Sequence, residues 1–155
     1  MNHILLSSIL FLSVSTALMA GAQTYTLTEP GTLAQAVGNN RSITSLTVKG
    51  PLNSADFDFI NRRLPSVTSI SLADAVIAPY DGPTLPSGVG TNTAGELPSY
   101  ALAGSSATEV RLPNGITAIG DGALAGTSIR TLSIPSSVTS IGKGAFAGCP
   151  ALTSV

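Results

Sequence analysis

A 22-residue repeat is the feature that most restricts the fold of this sequence. Residues 101–104, 123–126 and 145–148 read ALAG, ALAG and AFAG, and the residues between these tetrapeptides match at the same spacing. A fixed period of this length is typical of repeat proteins, in which each unit buries its apolar face by stacking on the next unit. The sequence therefore predicts a stack of similar units.

An L-x-x-L-x-L-like pattern predicts the strands of this stack. Its apolar and polar residues alternate, as in a strand with one buried face. We expect parallel strands near residues 43–48, 67–72, 108–112 and 130–134, with a fifth beginning at Leu152. The central apolar residues of the first four strands are expected to form one inward column: Leu46, Ile70, Val110 and Leu132.

An insertion and a second inward wall are also predicted. A 40-residue step separates Ile70 from Val110. The extra residues, at about 73–99, are rich in Pro, Gly, Ser and Thr, which is typical of a long surface loop. In the last unit, Val138 and Ile141 are expected to point inward from the wall opposite the strand.

Residues 1–22 are predicted to be a secretory signal peptide. An apolar run over residues 4–18 is too short to cross a bilayer comfortably, and it leads into an A-x-A cleavage pattern before Gln23. The mature protein is therefore expected to be secreted or at the cell surface, with no membrane span after cleavage. An uncleaved N-terminal anchor is the alternative, because residues 1–3 contain no Lys or Arg.

Several kinds of chemistry are excluded by composition. Cleavage removes His3, which is the only histidine. The mature chain is therefore not expected to carry out Ser-His-Asp or Cys-His catalysis or to hold a His-ligated metal. Cys149 is the only cysteine, so no internal disulfide framework can form. A formal net charge of -1 gives no positive electrostatic field that would attract nucleic acid, so we expect no nucleic-acid partner. We expect no enzyme, cofactor or metal site; a secreted hydrolase with two carboxylates is an alternative that no paired motif supports.

Residues 23–66 are predicted to form an N-terminal capping region that includes the first repeat strand, and residues 67–155 the repeat region. In the cap, helices are expected near residues 32–38, with Thr32 as the N-cap, and near residues 54–63. Acidic residues begin the second helix and basic residues end it, which favours the helix dipole: Asp56, Asp58, Arg62 and Arg63.

Cysteine and aspartate each have a functional and a structural interpretation here. Cys149 could be a reactive thiol or an intermolecular disulfide partner, but its place in the repeat favours a buried small hydrophobe. A calcium site could join Asp56 and Asp58 to Asp74 or Asp81. Helix-end electrostatics is favoured instead, because residues two apart on a helix do not face each other.

The segment over residues 132–155, LSIPSSVTSIGKGAFAGCPALTSV, resembles the BspA-like leucine-rich repeat of bacterial surface proteins. The resemblance covers residues 97–155, and residues 46–60 resemble the helix-bearing portion found ahead of such repeats. The departures are leucines at two positions that usually hold Phe, and hydroxyl residues near two expected Cys positions: Leu102, Leu124, Ser105 and Thr127.

The resemblance implies a right-handed parallel leucine-rich-repeat solenoid, mainly β with short helices. It also implies a secreted or surface-exposed binding protein, often an adhesin, and it carries no catalytic residue. Because Val155 stops inside a unit, we expect the solenoid to be open at its C-terminal end and to be the front of a longer array. The open coil is expected to allow self-association.

The outward face of the predicted strands is the candidate binding site. Hydroxyl side chains cover it, with Glu109 and Arg111 as one charged pair near the middle. The candidate ligand-binding residues are Ser45, Thr47, Ser69, Ser71, Glu109, Arg111, Thr131 and Ser133. The hydroxyls could instead only satisfy solvent, and the charged pair could be a weak exposed ion pair. The inserted segment, with Tyr80, Asp81 and Tyr100 near its ends, is a second candidate.

Two functions fit these expectations. The first is an exported, non-catalytic recognition or adhesion module that binds an extracellular protein or glycan through the sheet face. The alternative is a structural spacer or cap that presents a further domain beyond Val155.

Overall fold

Short strands, paired in parallel except at β1, are the main regular elements of the structure, and two helices lie in its N-terminal part. The computed structural model describes residues 21–155 and the backbone of residues 13–16. The elements are β1 (Ser13–Thr16), β2 (Ala22–Thr26), α1 (Leu33–Val37), β3 (Ser45–Leu52), α2 (Ser54–Arg63), β4 (Ser69–Ser71), β5 (Ala75–Ile77), β6 (Glu96–Leu97), β7 (Glu109–Arg111), β8 (Ala118–Ile119) and β9 (Ser140–Ile141). The expectation of a mainly β chain with short helices and parallel strands is confirmed.

The first sheet contains the predicted inward column. Its order is β1-β2-β3-β4-β7, and every pair except β1 with β2 is parallel. Leu46, Ile70 and Val110 lie in register across β3, β4 and β7 and are at most 6% exposed. Because side chains alternate along a strand, the flanking hydroxyl residues lie on the opposite face. The column is confirmed for these three residues.

The fourth strand, expected at residues 130–134, is a single bridge between Thr131 and Ser154. Leu132 is buried, as expected, but its N–H donates to Ser154 O at 3.1 Å. A ladder needs successive pairs, and Pro135 has no N–H with which to extend one. The predicted fourth strand is therefore wrong, and the expected fifth strand is likewise limited to this bridge.

A second parallel sheet contains β6, β8 and β9. Leu97, Ile119 and Ile141 lie in register across it. β5 pairs in parallel with the C-terminal half of β3, and Gly95 N–H donates to Ile77 O at 2.9 Å, which connects β5 to the start of this sheet. Each unit thus contributes backbone to two walls.

The surface loop expected at residues 73–99 is a packed segment instead. It contains β5 and β6, and Ile77, Val89 and Leu97 are at most 2% exposed. Leu97 lies one repeat before Ile119, so the backbone at this point has the same neighbours as in later units. The loop-like composition of the segment concealed this repeat position.

The middle of the inserted segment packs against α2. Ser54 Oγ donates to Gly90 O at 2.6 Å, and Ser87 N–H donates to Asp58 Oδ1 at 2.9 Å. Asn92, which is 7% exposed, donates from Nδ2 to three backbone carbonyls of the same segment at 2.8 to 3.2 Å. Asp58 therefore holds the inserted segment against α2 and also forms an ion pair with Arg62.

Both helices lie close to their predicted positions. Asn53 caps α2 by accepting from Ala55 N–H, and Asp56 accepts from the Asn53 N–H in return, which forms a capping box. Thr32 occupies the N-cap position of α1, but its hydroxyl donates to Glu29 O at 2.7 Å and caps no helical N–H. The predicted capping role of Thr32 is therefore wrong.

Asp56 joins the two helix starts. Its carboxylate accepts from Gly31 N–H at 2.7 Å, Leu33 N–H at 2.9 Å and Asn53 N–H at 3.0 Å, and the residue is 1% exposed. Burial raises the pKa of Asp56, and the three N–H donors oppose this rise without cancelling it. Helix-end electrostatics is thus only part of the role of Asp56, because it also holds the loop before α1 against α2.

Stacked turns form a third row of backbone hydrogen bonds. Leu102 N–H donates to Ala123 O and Leu124 N–H donates to Ala145 O, both at 2.8 Å. At the N-terminal end of this row, Asn61 Nδ2 of α2 donates to Ala101 O at 2.8 Å. Ala101 is the repeat equivalent of Ala123, whose carbonyl accepts from the backbone N–H of the preceding turn. At Ala101 the side-chain amide of Asn61 donates this hydrogen bond instead. The helix therefore caps the row of turns.

The last unit is more open than the one before it. Ile141 is 49% exposed, whereas its equivalent Ile119 is 2% exposed, and Val138 is half-buried. The expectation that Ile141 points into a core is wrong in the described structure, because no described strand pairs with β9 on the side away from β8.

Most of the predicted signal peptide lies outside the described residues. Residues 1–12 and 17–20 are not described, and residues 13–16 form β1. Within the described residues, no helix is long and apolar enough to cross a membrane. Export and cleavage before Gln23 remain predictions.

Candidate functional site

Two outward columns of the first sheet bring the predicted site residues together. Ser45, Ser69 and Glu109 lie in register across β3, β4 and β7. The second column runs from Thr24 on β2 through Thr47 and Ser71 to Arg111. The serines and Thr47 are half-buried, and both charged residues are exposed. Sequence reasoning missed Thr24, although it alternates with the buried Tyr25.

A shallow concavity of about 470 Å³ lies over this surface. All eight predicted residues line it, together with Ile70 and Val110. We call the surface of these eight residues the hydroxyl face: Ser45, Thr47, Ser69, Ser71, Glu109, Arg111, Thr131 and Ser133. Six of the eight are hydroxyl residues, each of which can both donate and accept a hydrogen bond. The face can therefore bind a polar partner at many points.

The two charges of the hydroxyl face are not paired with each other. Glu109 and Arg111 flank Val110 on β7, and the only ion pair within the part of the chain that the structure describes joins Arg62 to Asp58. The exposed ion pair considered for Glu109 and Arg111 is therefore absent. Each charge is available to a partner without first breaking a pair between them.

A second concavity of about 300 Å³ continues the first one past the end of β7. It shares Arg111 and Ser133 with the hydroxyl face and adds Ala73, Asn114 and Pro135. Sequence reasoning missed these three residues, although each follows a predicted strand closely. The Arg111 side chain thus lies where the two concavities meet.

The other predicted contact region is divided between two elements. Tyr80 forms a backbone bridge with Asn92 inside the inserted segment, and its Oη donates to Pro83 O at 3.1 Å. Tyr100 begins the first stacked turn, where its N–H donates to Asp121 O at 2.9 Å. Tyr100 is 48% exposed and Asp81 is also exposed. These residues remain a candidate contact region that is divided between the inserted segment and the first stacked turn.

Cys149 and the aspartates offer no metal centre. Among the described residues, no group of three or more His, Cys, Asp or Glu side chains is placed to hold a metal ion. Cys149 is half-buried; its Sγ lies 3.1 Å from Leu124 O and 3.4 Å from Thr127 Oγ1. Thr127 is its equivalent one unit earlier, so the thiol lies within the repeat stack as a packing group.

The strands β6, β8 and β9 pair in parallel at a constant spacing of 22 residues, which is the arrangement of a repeat protein. The family model described as "BspA type Leucine rich repeat region (6 copies)" matches residues 85–155. This match confirms the resemblance over residues 97–155 and extends it into the inserted segment. No curated protein matches the sequence of this chain.

The family assignment has general consequences. Leucine-rich repeat regions of this type are generally non-catalytic modules for protein interaction and are typical of bacterial surface proteins. The hydroxyl face lies partly on β3 and β4, which precede the matched residues, and partly on β7 and residues 131–133, which fall within them.

Proposed function

We propose that this chain is an exported, non-catalytic recognition or adhesion module of a bacterial surface, which binds an extracellular protein or glycan through the hydroxyl face. The observation that carries the proposal is that all eight candidate ligand-binding residues line one concavity. Its lining offers hydroxyl groups and two exposed charges of opposite sign. Such a surface fits a polar partner, and no histidine among the described residues lies beside its hydroxyl groups to act as a base.

We propose that the chain is organised in three segments. Residues 1–22 are a signal peptide removed on export, residues 23–66 cap the stack, and residues 67–155 form a right-handed parallel solenoid. The hydrogen bond from Asn61 to Ala101 supports the capping role. The two parallel sheets and the row of turns support the solenoid, because each of them runs from unit to unit.

Ser71→Trp tests the binding face. Ser71 lies between Thr47 and Arg111 in the outward column, so an indole there fills the concavity without entering the core. Binding of the mature chain to a bead-displayed peptide library and to a glycan array should fall at least about tenfold. Thr139→Trp is the matched control, because Thr139 is exposed beside β9, away from the hydroxyl face. Binding that Ser71→Trp leaves unchanged would contradict the proposal.

We also propose that the open edge at β9 associates with a second copy of the chain. Ile141 is 49% exposed, and an unpaired strand edge with an apolar side chain is a template for further pairing. Sedimentation of the mature chain at increasing concentration should reveal dimers, and Ile141→Lys should shift the population to monomer. Val76→Lys is the control, because Val76 is 65% exposed on β5. A wild-type chain that stays monomeric at high concentration would disprove the association.

A further inference from the structure

Among the described residues, Glu109 and Arg111 are the only charged ones that line the two joined concavities. Both project from β7 on the same face, and their neighbours in register on β4 are the uncharged Ser69 and Ser71. The hydroxyl face therefore presents one negative and one positive charge, two residues apart on one strand, in otherwise neutral surroundings.

The spacing of these charges is that of an extended chain. Residues i and i+2 of a strand lie roughly 6.6 Å apart along its axis. A peptide in extended conformation can lie over the hydroxyl face, parallel to β7. The same distance then separates its own alternate side chains. One such peptide can therefore place an opposite charge against Glu109 and another against Arg111.

We infer that the partner of the hydroxyl face is a protein segment in extended conformation that carries one acidic and one basic side chain two residues apart. This inference rests on the proposed function and names the partner class for the same face. The acidic side chain pairs with Arg111 and the basic one with Glu109. The hydroxyl groups of Ser69, Ser71 and their neighbours bond to the polar groups between them.

The same observations disfavour a glycan. No aromatic residue of the described part of the chain lines either concavity, so the apolar face of a sugar ring has no flat side chain on which to pack. A neutral glycan would cover Glu109 and Arg111 without supplying opposite charges, which costs free energy. An acidic glycan would satisfy Arg111 and be repelled by Glu109. A segment with both charges satisfies both residues.

Selectivity in this arrangement comes from repulsion as well as attraction. A segment with two acidic side chains places one of them against Glu109, and a segment with two basic side chains places one against Arg111. Like charges brought together at an interface penalise the wrong partner. The face is therefore expected to distinguish mixed-charge segments from segments of a single sign.

The test uses four synthetic peptides with the same Thr-rich sequence and different charges at two alternate positions. Two mixed peptides carry one acidic and one basic side chain, in either order. One single-sign peptide carries two acidic side chains, and the other carries two basic side chains. Dense display on beads makes weak binding measurable, because multivalency raises the apparent affinity. The mature wild-type chain should bind both mixed peptides at least about tenfold more strongly than either single-sign peptide, and added salt should reduce the preference.

Charge reversal on the protein should change this order in a defined way. Glu109→Lys leaves two cations on the face and should move the preference to the acid and acid peptide. Arg111→Glu should move it to the base and base peptide. Glu29→Lys makes the same charge change at an exposed position away from the face and should leave the wild-type order unchanged.

The outcomes separate this inference from the proposed function. The inference would be overturned if neither charge reversal changed the order in which the four peptides bind. It would also be overturned if sialylated glycans bound and no mixed-charge peptide did. If that glycan binding is lost in Ser71→Trp, the proposed function survives without its protein partner. Absence of both peptide and glycan binding would overturn the inference and the proposed function together.

Discussion

Replacing Asp56 with Asn is expected to lower the free energy of unfolding by about 3 kcal/mol, because a buried network loses its acceptors. The carboxylate accepts from the N–H groups of Gly31, Leu33 and Asn53, and it is 1% exposed. An amide keeps one acceptor oxygen and directs its NH₂ group toward other donors. Urea unfolding of wild type and variant, followed by circular dichroism, measures the difference.

Asp74→Asn is the matched control for this prediction. Asp74 is exposed, so the same loss of charge should change the free energy of unfolding by less than about 0.5 kcal/mol. Equal midpoints for Asp56→Asn and wild type would mean that the two helix starts do not depend on this carboxylate.

The stability difference between wild type and Asp56→Asn should also depend on pH. Burial raises the pKa of Asp56 above its ordinary value of 3.8, so the folded state holds this proton more tightly than the unfolded state does. The resulting contribution to stability is fully present below the unfolded pKa and is lost as pH rises through the folded pKa. The difference should therefore be larger at pH 3 than at pH 7. A difference that grows with pH would contradict this sign.

Gly50→Ala is expected to lower the free energy of unfolding by about 3 kcal/mol, through backbone strain and a steric clash. Gly50 has φ of 84°, in the left-handed region, and a Cβ atom there would contact Leu27 O and lie 3.1 Å from Leu27 C. The glycine lies where β3 passes from its pairing with β4 to its pairing with β5. Thermal unfolding followed by circular dichroism measures the loss.

Gly38→Ala separates the two causes of this effect. Gly38 has φ of 60°, but no heavy atom lies within 4 Å of the position that an added methyl group would take. With ψ of -126° this backbone lies in a region that glycine adopts far more readily than alanine, so Gly38→Ala should lose about 2 kcal/mol through backbone strain alone. A loss at Gly50 no larger than the loss at Gly38 would show that Leu27 moves away freely.

The inward column and the outward face could be predicted from sequence because both depend on local periodicity. Alternation along a strand places Leu46, Ile70 and Val110 on one side and the hydroxyl residues on the other, and a fixed repeat aligns each unit with the next. The same alternation identified eight of the ten residues that line the concavity. The pattern does not identify the ligand of these residues, because periodicity specifies only the side of the sheet on which each side chain lies.

The inserted segment could not be predicted in the same way. Its Pro, Gly and Ser content is typical of loops, but composition does not record which backbone groups find partners. Leu97 shares the register of Ile119, and Val89 is buried, because the segment is held against α2 by Ser54 and Asp58. These bonds join residues that lie far apart in the chain.

The sequence by itself determined the repeat, the inward column and the polar composition of the opposite face, because each follows from the spacing of neighbouring residues. Tertiary structure alone decided that Asp56 joins two helix starts and that Asn61 caps the row of turns. The physical reason is that hydrogen bonds and ion pairs depend on distances between atoms, and chain folding sets those distances for residues 20 to 40 positions apart.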